Sequence, residues 1–172
     1  MQLAMRKSET KKQQYSVSLI AAISQEQVVA SQIIEGGVDS TIFENFVYQT
    51  LRSIRTDPRN SSRAVVLLMD NAVIHRHSSV LQTCRKMKVN VLFNAEYSPW
   101  LNPIEQLFGL VKKSLKNADV STKYVLRLFN ICRVQLVKEV QSVLKNLQED
   151  EVKSLWAFSV KRWIQTIKFG HV

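Results

Sequence analysis

The chain has 172 residues, enough for one globular domain with a buried core, and it is strongly basic. Lysine and arginine outnumber aspartate and glutamate by 24 to 14, which gives a formal net charge of +10 and a pI of about 9.8. Its 45% of apolar residues excludes a disordered chain, and no apolar run approaches the roughly 20 residues of a membrane span. The charge favours DNA or another polyanion as the partner. An acidic protein, an anionic membrane surface or simple solubility stays open as the alternative.

The cysteines and the N-terminal segment set the expected compartment. Cys84 and Cys132 have no CxxC spacing and no clustered histidines, so a zinc site is not expected and a reducing compartment is the default. Residues 1–14 are basic but lack the apolar core of a secretory signal. We interpret them as a solvated entry segment, with a mitochondrial leader as the alternative. An intracellular protein is expected, and a nuclear one if the source is eukaryotic.

The first elements predict a hairpin followed by a helix. Two β-branched runs, residues 15–24 and 28–37, surround the short polar break QEQ, a pattern typical of a β-hairpin. Residues 39–55 carry apolar side chains at helical spacing and predict an amphipathic helix, with Asp39 or Ser40 as its cap. The side chains on its apolar side are Phe43, Phe46, Val47, Thr50, Leu51 and Ile54.

The next segments predict a βαβ unit. Residues 65–69 are apolar without alternation, which is typical of a strand covered on both faces, and residues 89–93 (VNVLF) predict a second buried strand. A short helix near residues 78–87 separates them. Two parallel strands joined by a right-handed crossover are therefore expected.

The remainder of the chain predicts helices from Pro103 onward, with breaks near residues 117–121 and at Glu149. One side of residues 122–147 is apolar, and its members are Val125, Leu128, Phe129, Cys132, Leu136, Val140, Val143 and Leu147. The last segment has a similar apolar side, made of Val152, Leu155, Trp156, Trp163, Ile164 and Ile167. We interpret its two tryptophans as core residues rather than a platform for stacking bases.

Two acidic residues stand where predicted elements end or begin. Asp70 directly follows the first parallel strand, at the carboxyl end where α/β proteins meet their ligands. Glu105 is the third residue of a helix that Asn102 caps and Pro103 opens. The second strand leads through a short loop to that helix, so the two carboxylates are placed to meet above one sheet edge. Each has a structural alternative: Asp70 and Asn71 as an ordinary turn, and Glu105 as part of a capping box.

The sequence around both acidic residues resembles a known family. DNAVIH, beginning at Asp70, and YSPWLNPIEQLFGLVKK, beginning at Tyr97, resemble the second and third catalytic blocks of mariner-type DDE transposases. In those blocks an aspartate opens DN-x-x-x-H and a glutamate lies in YSP-x-LNPIE. The 35 positions between Asp70 and Glu105 fit that group, and the resemblance extends from about Tyr15 to Lys116.

The resemblance implies a ribonuclease-H-like α/β fold, with a mixed sheet flanked by helices and a helical C-terminal extension. It also implies metal-dependent cleavage and transfer of DNA strands, in which three carboxylates hold two Mg²⁺ or Mn²⁺ ions. Asp70 and Glu105 would be two of these catalytic metal ligands. Asn71, His75 and Asn102 would support them or contact phosphate. Taken alone, His75 would be assigned to a loop or the core.

The chain departs from the family pattern before the hairpin. The family has a central apolar strand there that ends in the first catalytic aspartate, and helix-turn-helix domains before it; neither is found in this sequence, and Glu9 is a poor substitute. Ala95 and Glu96 replace prolines that are usual in the family. Trp100 occupies a normally polar position and suggests a contact surface.

The expected organisation is a basic segment (1–14), a truncated ribonuclease-H-like core (15–117) and a helical region packed on it (118–172), without the first central strand. That strand comes from another protein chain, or the sequence is part of a longer product, or the fold closes differently. Three functions follow: a transposase core active only when completed, a domesticated non-catalytic structural or DNA-binding subunit of a larger assembly, or a basic interaction module. In any DNA complex, contacts are expected mainly with phosphate.

Overall fold

A computed structural model describes residues 17–60, 63–117 and 131–169 of the chain. The predictions for residues 1–14, for Val125, Leu128 and Phe129, and for the side chains of Cys132 and Ile167 lie outside what is described. No helix in the described residues is long and apolar enough to cross a membrane. The elements in chain order are β1 (Val17–Ile23), β2 (Val28–Glu35), α1 (Ser40–Thr56), β3 (Val66–Met69), α2 (Ser78–Lys86), β4 (Asn90–Phe93), a 3₁₀ turn (Pro99–Leu101), α3 (Pro103–Asn117), α4 (Ile131–Asn146) and α5 (Glu149–Phe169).

The predicted hairpin is confirmed. Strands β1 and β2 pair antiparallel from Val17 opposite Glu35 to Ile23 opposite Val28, with one register irregularity near the turn. The Ser24 hydroxyl oxygen accepts hydrogen bonds from the turn amides of Glu26 and Gln27. Side chains of β1 alternate between two cores: Ile20 and Ala22 on one face, and Leu19, Ala21 and Ile23 on the other. The hairpin therefore has helices on both of its faces.

Helix α1 begins where the sequence predicts, because the Asp39 carboxylate accepts a 2.8 Å hydrogen bond from the amide of Ile42. The predicted apolar side is buried at Phe43, Phe46, Val47, Thr50 and Leu51, and Ile54 packs against the same core.

Strands β3 and β4 pair in parallel, from Val66 opposite Asn90 to Met69 opposite Phe93, with α2 between them in sequence. This confirms the parallel βαβ unit. The expectations that β3 is covered on both faces and that β4 is buried are wrong, because Val66 is 59% exposed and Leu92 is 53% exposed. One face packs against α1 and α2, whereas the core formed by α3, α4 and α5 packs on the hairpin and includes no side chain of β3 or β4.

The four described strands form two pairs, not one continuous sheet. The pairs nevertheless share a core, since Ile20 of the hairpin and Met69 of β3 belong to the same apolar cluster under α1. Helices on both sides of this layer give the α/β, ribonuclease-H-like architecture that the sequence predicted.

A second core joins the C-terminal helices to the hairpin. Its buried members are Leu107, Val111, Val140, Leu144 and Leu155. Leu136, Val143 and Leu147 pack against it, which confirms the predicted apolar side of α4 over the part described. Ile164 is an exception, because it is 47% exposed. Ile164 directly follows Trp163, so its side chain points about 100° around the helix away from the side that carries Ser159 and Trp163.

Candidate active site

The predicted site residues border a cavity between the two strand pairs. The cavity has a volume of about 820 Å³, and its walls include Asp70, His75, Asn102 and Glu105. Asp70 follows the carboxyl end of β3, and β4 ends at the same edge because the two strands are parallel. The chain then passes through residues 94–102 to the start of α3, which brings Glu105 to the same cavity.

Asp70 is held by its own turn and by a histidine. Its Oδ1 accepts a 2.9 Å hydrogen bond from the amide of Ala72, so the turn described as the structural alternative does form. The same oxygen lies 2.6 Å from Nδ1 of His75, and the aspartate side chain is 47% exposed. Turn and site are therefore compatible: the turn fixes the carboxylate while half of it faces solvent.

His75 is largely buried beside Asp70. Its ring packs against that of Phe43, with 4.3 Å between ring centroids, and 18% of the side chain is exposed. The contact with Asp70 is short enough for an ion pair when the imidazole is protonated, but its angles do not make it a well-directed hydrogen bond. His75 is thus both a core histidine and a neighbour of the strand-end carboxylate.

Asn71 links the ends of the two parallel strands. Its Nδ2 donates a 2.6 Å hydrogen bond to the carbonyl of Asn94, just beyond β4, and its Oδ1 accepts from Nε of Arg76 at 3.1 Å. The Arg76 guanidinium lies over the ring of Phe93, 4.8 Å from its centroid. Sequence reasoning missed Arg76, although it directly follows the DNAVIH block.

The start of α3 positions Glu105. The Asn102 side chain, buried with the residue 5% exposed, accepts a 3.4 Å hydrogen bond from the amide of Ile104. This bond agrees with the prediction that Asn102 caps helix α3. Within the described residues no hydrogen bond or ion pair engages the Glu105 carboxylate, so the capping box does not form and the carboxylate is available at the cavity.

The loop before α3 is tightly tied. Asn94 Nδ2 donates to the carbonyl of Ser98 at 2.7 Å, and Ser98 is only 2% exposed. Tyr97 has a positive φ of 55°, which a non-glycine residue rarely adopts, and its side chain is 93% exposed. Trp100 is 40% exposed.

The donor atoms suit a hard cation, but their number is small. Mg²⁺ and Mn²⁺ prefer oxygen ligands, which Asp70 and Glu105 supply. Among the residues that the structure describes, no group of three His, Cys, Asp or Glu side chains is positioned to hold a metal ion. Within those residues, the two carboxylates alone do not make up the three-carboxylate set that a two-metal centre of this family would need.

A hairpin with helices on both faces, a parallel strand pair that an aspartate follows, and a helix-start glutamate at the same cavity are the arrangement of a ribonuclease-H-like domain. A family model described as DDE superfamily endonuclease matches residues 4–127. The chain therefore belongs to the DDE superfamily of endonucleases, as its resemblance to mariner-type transposases predicts. A comparison with curated protein sequences finds no match.

Solved structures of the Mos1 mariner transposase have the same fold. The Mos1 catalytic domain with raltegravir and Mg is 19% identical, with a TM-score of 0.68 over 90% of this chain and 80% of that one. The Mos1 paired end complex with Mn is also 19% identical, with a TM-score of 0.71 over 97% of this chain and 47% of the Mos1 chain. A pre-cleavage Mos1 transpososome is 18% identical, with a TM-score of 0.72 over 97% and 48%. The chain thus spans about half the length of the Mos1 protein in the larger assemblies.

Proposed function

We propose that this chain supplies two metal-binding carboxylates, Asp70 and Glu105, to a centre that cleaves and transfers DNA strands, and that the centre needs a third carboxylate to work. The observation that carries the proposal is that both carboxylates border one cavity. Glu105 has no competing partner among the described residues, and Asp70 keeps its Oδ2 free of hydrogen bonds there. A bound divalent cation would stabilise the negative charge that develops when a phosphodiester bond breaks.

The protein's own groups orient the two acids. The Ala72 amide donates a hydrogen bond to Oδ1 of Asp70, and Nδ1 of His75 lies 2.6 Å from the same oxygen. Oδ2 of Asp70 is therefore the oxygen left to bind a cation. Glu105 lies in the first turn of α3, where the positive end of the helix dipole stabilises a carboxylate. The Mos1 catalytic domain was solved with Mg and with Mn, which supports divalent-metal use in this family.

DNA is the proposed substrate class. The net charge of +10 favours a phosphate-rich partner, and Arg76 places a guanidinium next to Asn71 at the edge of the site. The larger Mos1 structures are a paired end complex and a transpososome, and they support the same class of partner.

A second candidate is a non-catalytic descendant that acts as a structural or DNA-binding subunit of an assembly. It is favoured by the lack of a three-carboxylate group among the described residues. Metal binding separates the two candidates, because a retired site has no reason to keep an affinity that depends on both acids.

The experiment that tests the proposal is Mn²⁺ binding to the purified chain, followed by electron paramagnetic resonance, beside Asp70→Asn and Glu105→Gln. We expect one weak, saturable site in the wild type that both substitutions abolish. Two matched controls each remove one carboxylate away from the site. Asp39→Asn preserves the cap of α1, and Glu96→Gln changes an exposed residue of the loop before α3. Binding that survives both site substitutions would refute the assignment.

A parallel assay of supercoiled DNA nicking with Mn²⁺ tests completeness. The proposal expects no cutting by this chain alone. Cutting that both site substitutions abolish would contradict the need for an added carboxylate, because some other residue of this chain would then complete the site. Cutting that neither substitution affects would come from another nuclease in the preparation, and the assay would be repeated after further purification.

A further inference from the structure

Arg76 lies exposed at the strand ends, beside the candidate active site. Two of the five N–H groups of its guanidinium, one on Nε and one on Nη2, donate to Oδ1 of Asn71. One face of the guanidinium lies over the ring of Phe93, with 4.8 Å between Cζ and the ring centroid. A neutral amide and an aromatic ring thus hold this cation, and no described carboxylate forms an ion pair with it.

Further hydrogen bonds fix the side chain that anchors Arg76. Nδ2 of Asn71 donates to the carbonyl of Asn94 at 2.6 Å. The Asn94 side chain in turn donates to the carbonyl of Ser98 at 2.7 Å and accepts from the amide of Ala95 at 2.9 Å. Ser98 is only 2% exposed, so this series of bonds ends in the interior of the fold. A cation on such an anchor loses less conformational entropy when it binds an anion than a freely moving one does.

The structural alternative is that Arg76 only helps to join the two parallel strands. The bond from Asn71 to Asn94 already joins the end of β3 to the residue after β4, and it does so without Arg76. A hydrogen bond between exposed groups adds little to stability, because water competes for both partners. Joining the strands therefore explains Asn71, but it does not explain a fixed positive charge at Arg76.

The remaining donors of Arg76 suit a phosphate. Three of its five N–H groups, including both on Nη1, have no hydrogen-bond partner within the described residues. A guanidinium presents its N–H groups as a planar fork that matches two oxygens of a phosphate or a carboxylate. The proposed chemistry at Asp70 and Glu105 brings a phosphodiester backbone to this edge, and Asp70 directly precedes Asn71. Phosphate is therefore the anion that these donors would meet.

Arg76 lies beside the proposed cleavage centre and not within it. The described walls of the cavity include Asp70 and Glu105, but neither Arg76 nor Phe93. Phe93 packs against the apolar cluster under α1, which places the guanidinium outside the cavity. A phosphate bound by Arg76 would therefore belong to a nucleotide near the one that is cleaved, and not to the cleaved bond itself.

We infer that Arg76, anchored by Asn71 and Phe93, binds a phosphate of the DNA backbone that flanks the phosphodiester at Asp70 and Glu105. This inference deepens the proposed function and rests on it for the choice of DNA as the ligand. A fixed contact on the flanking phosphate holds the strand in position relative to the two carboxylates. Because phosphates carry no sequence information, Arg76 positions the DNA without selecting its sequence.

The test measures binding of a labelled DNA duplex to the purified chain by fluorescence anisotropy, in the presence of EDTA and at several salt concentrations. Arg76→Met removes the charge and keeps most of the length of the side chain. It should lower the association constant about fivefold to tenfold at about 50 mM salt. One phosphate contact changes the salt slope by about 0.9, so the further fall between about 50 and about 200 mM should be about three- to fourfold smaller than in the wild type.

Two control variants separate the site from the overall charge. Arg85→Met makes the same change at an exposed arginine in the last turn of α2. Since α2 leads from the carboxyl end of β3 back to the start of β4, Arg85 lies at the opposite edge, and its loss should change the association constant by less than about twofold. Arg76→Lys keeps the charge but not the fork, so it should retain the salt slope and lose part of the affinity. Urea midpoints establish that each variant is folded.

Three outcomes would overturn the inference. One is wild-type affinity and salt slope in Arg76→Met. Another is an equal loss in Arg85→Met, because DNA binding would then depend on net charge and not on this position. The third is a lower affinity of Arg76→Met with an unchanged salt slope, which would assign Arg76 a structural role.

EDTA separates this inference from the proposed metal centre, because the DNA measurement then requires no cation at Asp70 and Glu105. The predicted loss in Arg76→Met, together with no Mn²⁺ binding by the chain, would leave the phosphate contact standing and refute the metal centre. Mn²⁺ binding that depends on both acids, together with wild-type DNA binding by Arg76→Met, would refute the phosphate contact alone. No DNA binding by the wild type at low salt would refute both the contact and DNA as the substrate.

Discussion

The indole Nε1 of Trp163 donates a 2.8 Å hydrogen bond to the backbone carbonyl of Leu101, 62 residues earlier in the chain. Leu101 ends the 3₁₀ turn directly before the Asn102 cap, so this bond ties α5 to the segment that positions Glu105. Two turns earlier on α5, the indole of Trp156 donates to the carbonyl of Ser24 in the hairpin turn. The last described helix therefore contacts two distant loops, and both tryptophans are partly buried through these bonds without belonging to either apolar core.

Trp163→Phe should lower the free energy of unfolding by about 1–2 kcal/mol, since it removes a hydrogen bond and leaves the Leu101 carbonyl without its donor. Urea denaturation measures the change. The matched control is Trp100→Phe, at an exposed tryptophan with no hydrogen bond among the described residues, which should change stability by less than about 0.5 kcal/mol. Equal losses in the two variants would contradict a specific role for the Trp163 bond.

Leu107→Ala should lower the free energy of unfolding by about 2–5 kcal/mol, because Leu107 is fully buried at the centre of the second core. Leu92→Ala makes the same change at a residue that is 53% exposed and should cost under about 1 kcal/mol. Thermal or urea unfolding of the two variants provides the comparison. A loss at Leu92 as large as that at Leu107 would mean that β4 is covered by a partner or by residues beyond the described part.

The contact between α1 and α2 should make stability depend on pH. Hydrogen bonds from Ser79 and Thr83 hold the pKa of Glu44 below its ordinary value of 4.5, and the bond from Thr83 measures 2.8 Å. A carboxyl with a lowered folded-state pKa stabilises the protein above its unfolded pKa, and this contribution is lost as the pH falls through the folded pKa.

Glu44→Gln should therefore be less stable than the wild type near neutral pH, and the difference should shrink as the medium becomes acidic. Urea midpoints measured from about pH 7 down to about pH 3 would test this. Glu96→Gln, at an exposed position, is the control and should keep the wild-type pH profile. A difference between Glu44→Gln and wild type that stays constant across this range would exclude the carboxylate as its cause.

DNA binding, if phosphate contacts dominate it, should weaken steeply with salt. Each pair of phosphate contacts lowers the association constant about tenfold between about 50 and about 200 mM salt. Fluorescence anisotropy with labelled duplexes of different sequence is the measurement. The slope of the logarithm of the association constant against the logarithm of the salt concentration should be similar for all of them, because phosphates carry no sequence information. Binding that does not respond to salt, or no binding at low salt, would argue against DNA as the partner.

Local interactions made much of the fold predictable from the sequence. The Asp39 cap, the hairpin around the QEQ break and the strand that ends at Met69, directly before Asp70, depend on residues close together in the chain. The two acidic blocks could be recognised for the same reason, because each is a short run with a fixed pattern. The assignment of Asp70 and Glu105 as metal ligands stays a prediction, although the fold brings both to one cavity.

Only the tertiary structure decided which faces are covered and which edges are left open. Val66 and Leu92 belong to apolar runs that predict full burial, yet the C-terminal helices pack on the hairpin instead and leave them exposed. The hydrogen bonds from Asn71 to Asn94 and from Trp163 to Leu101 likewise join parts of the chain that no local pattern connects. The cavity between the two strand pairs is also lined by residues far apart in the sequence. Local propensity chooses the elements, whereas the burial of their apolar faces and the pairing of their backbone groups are settled only when all of them pack together.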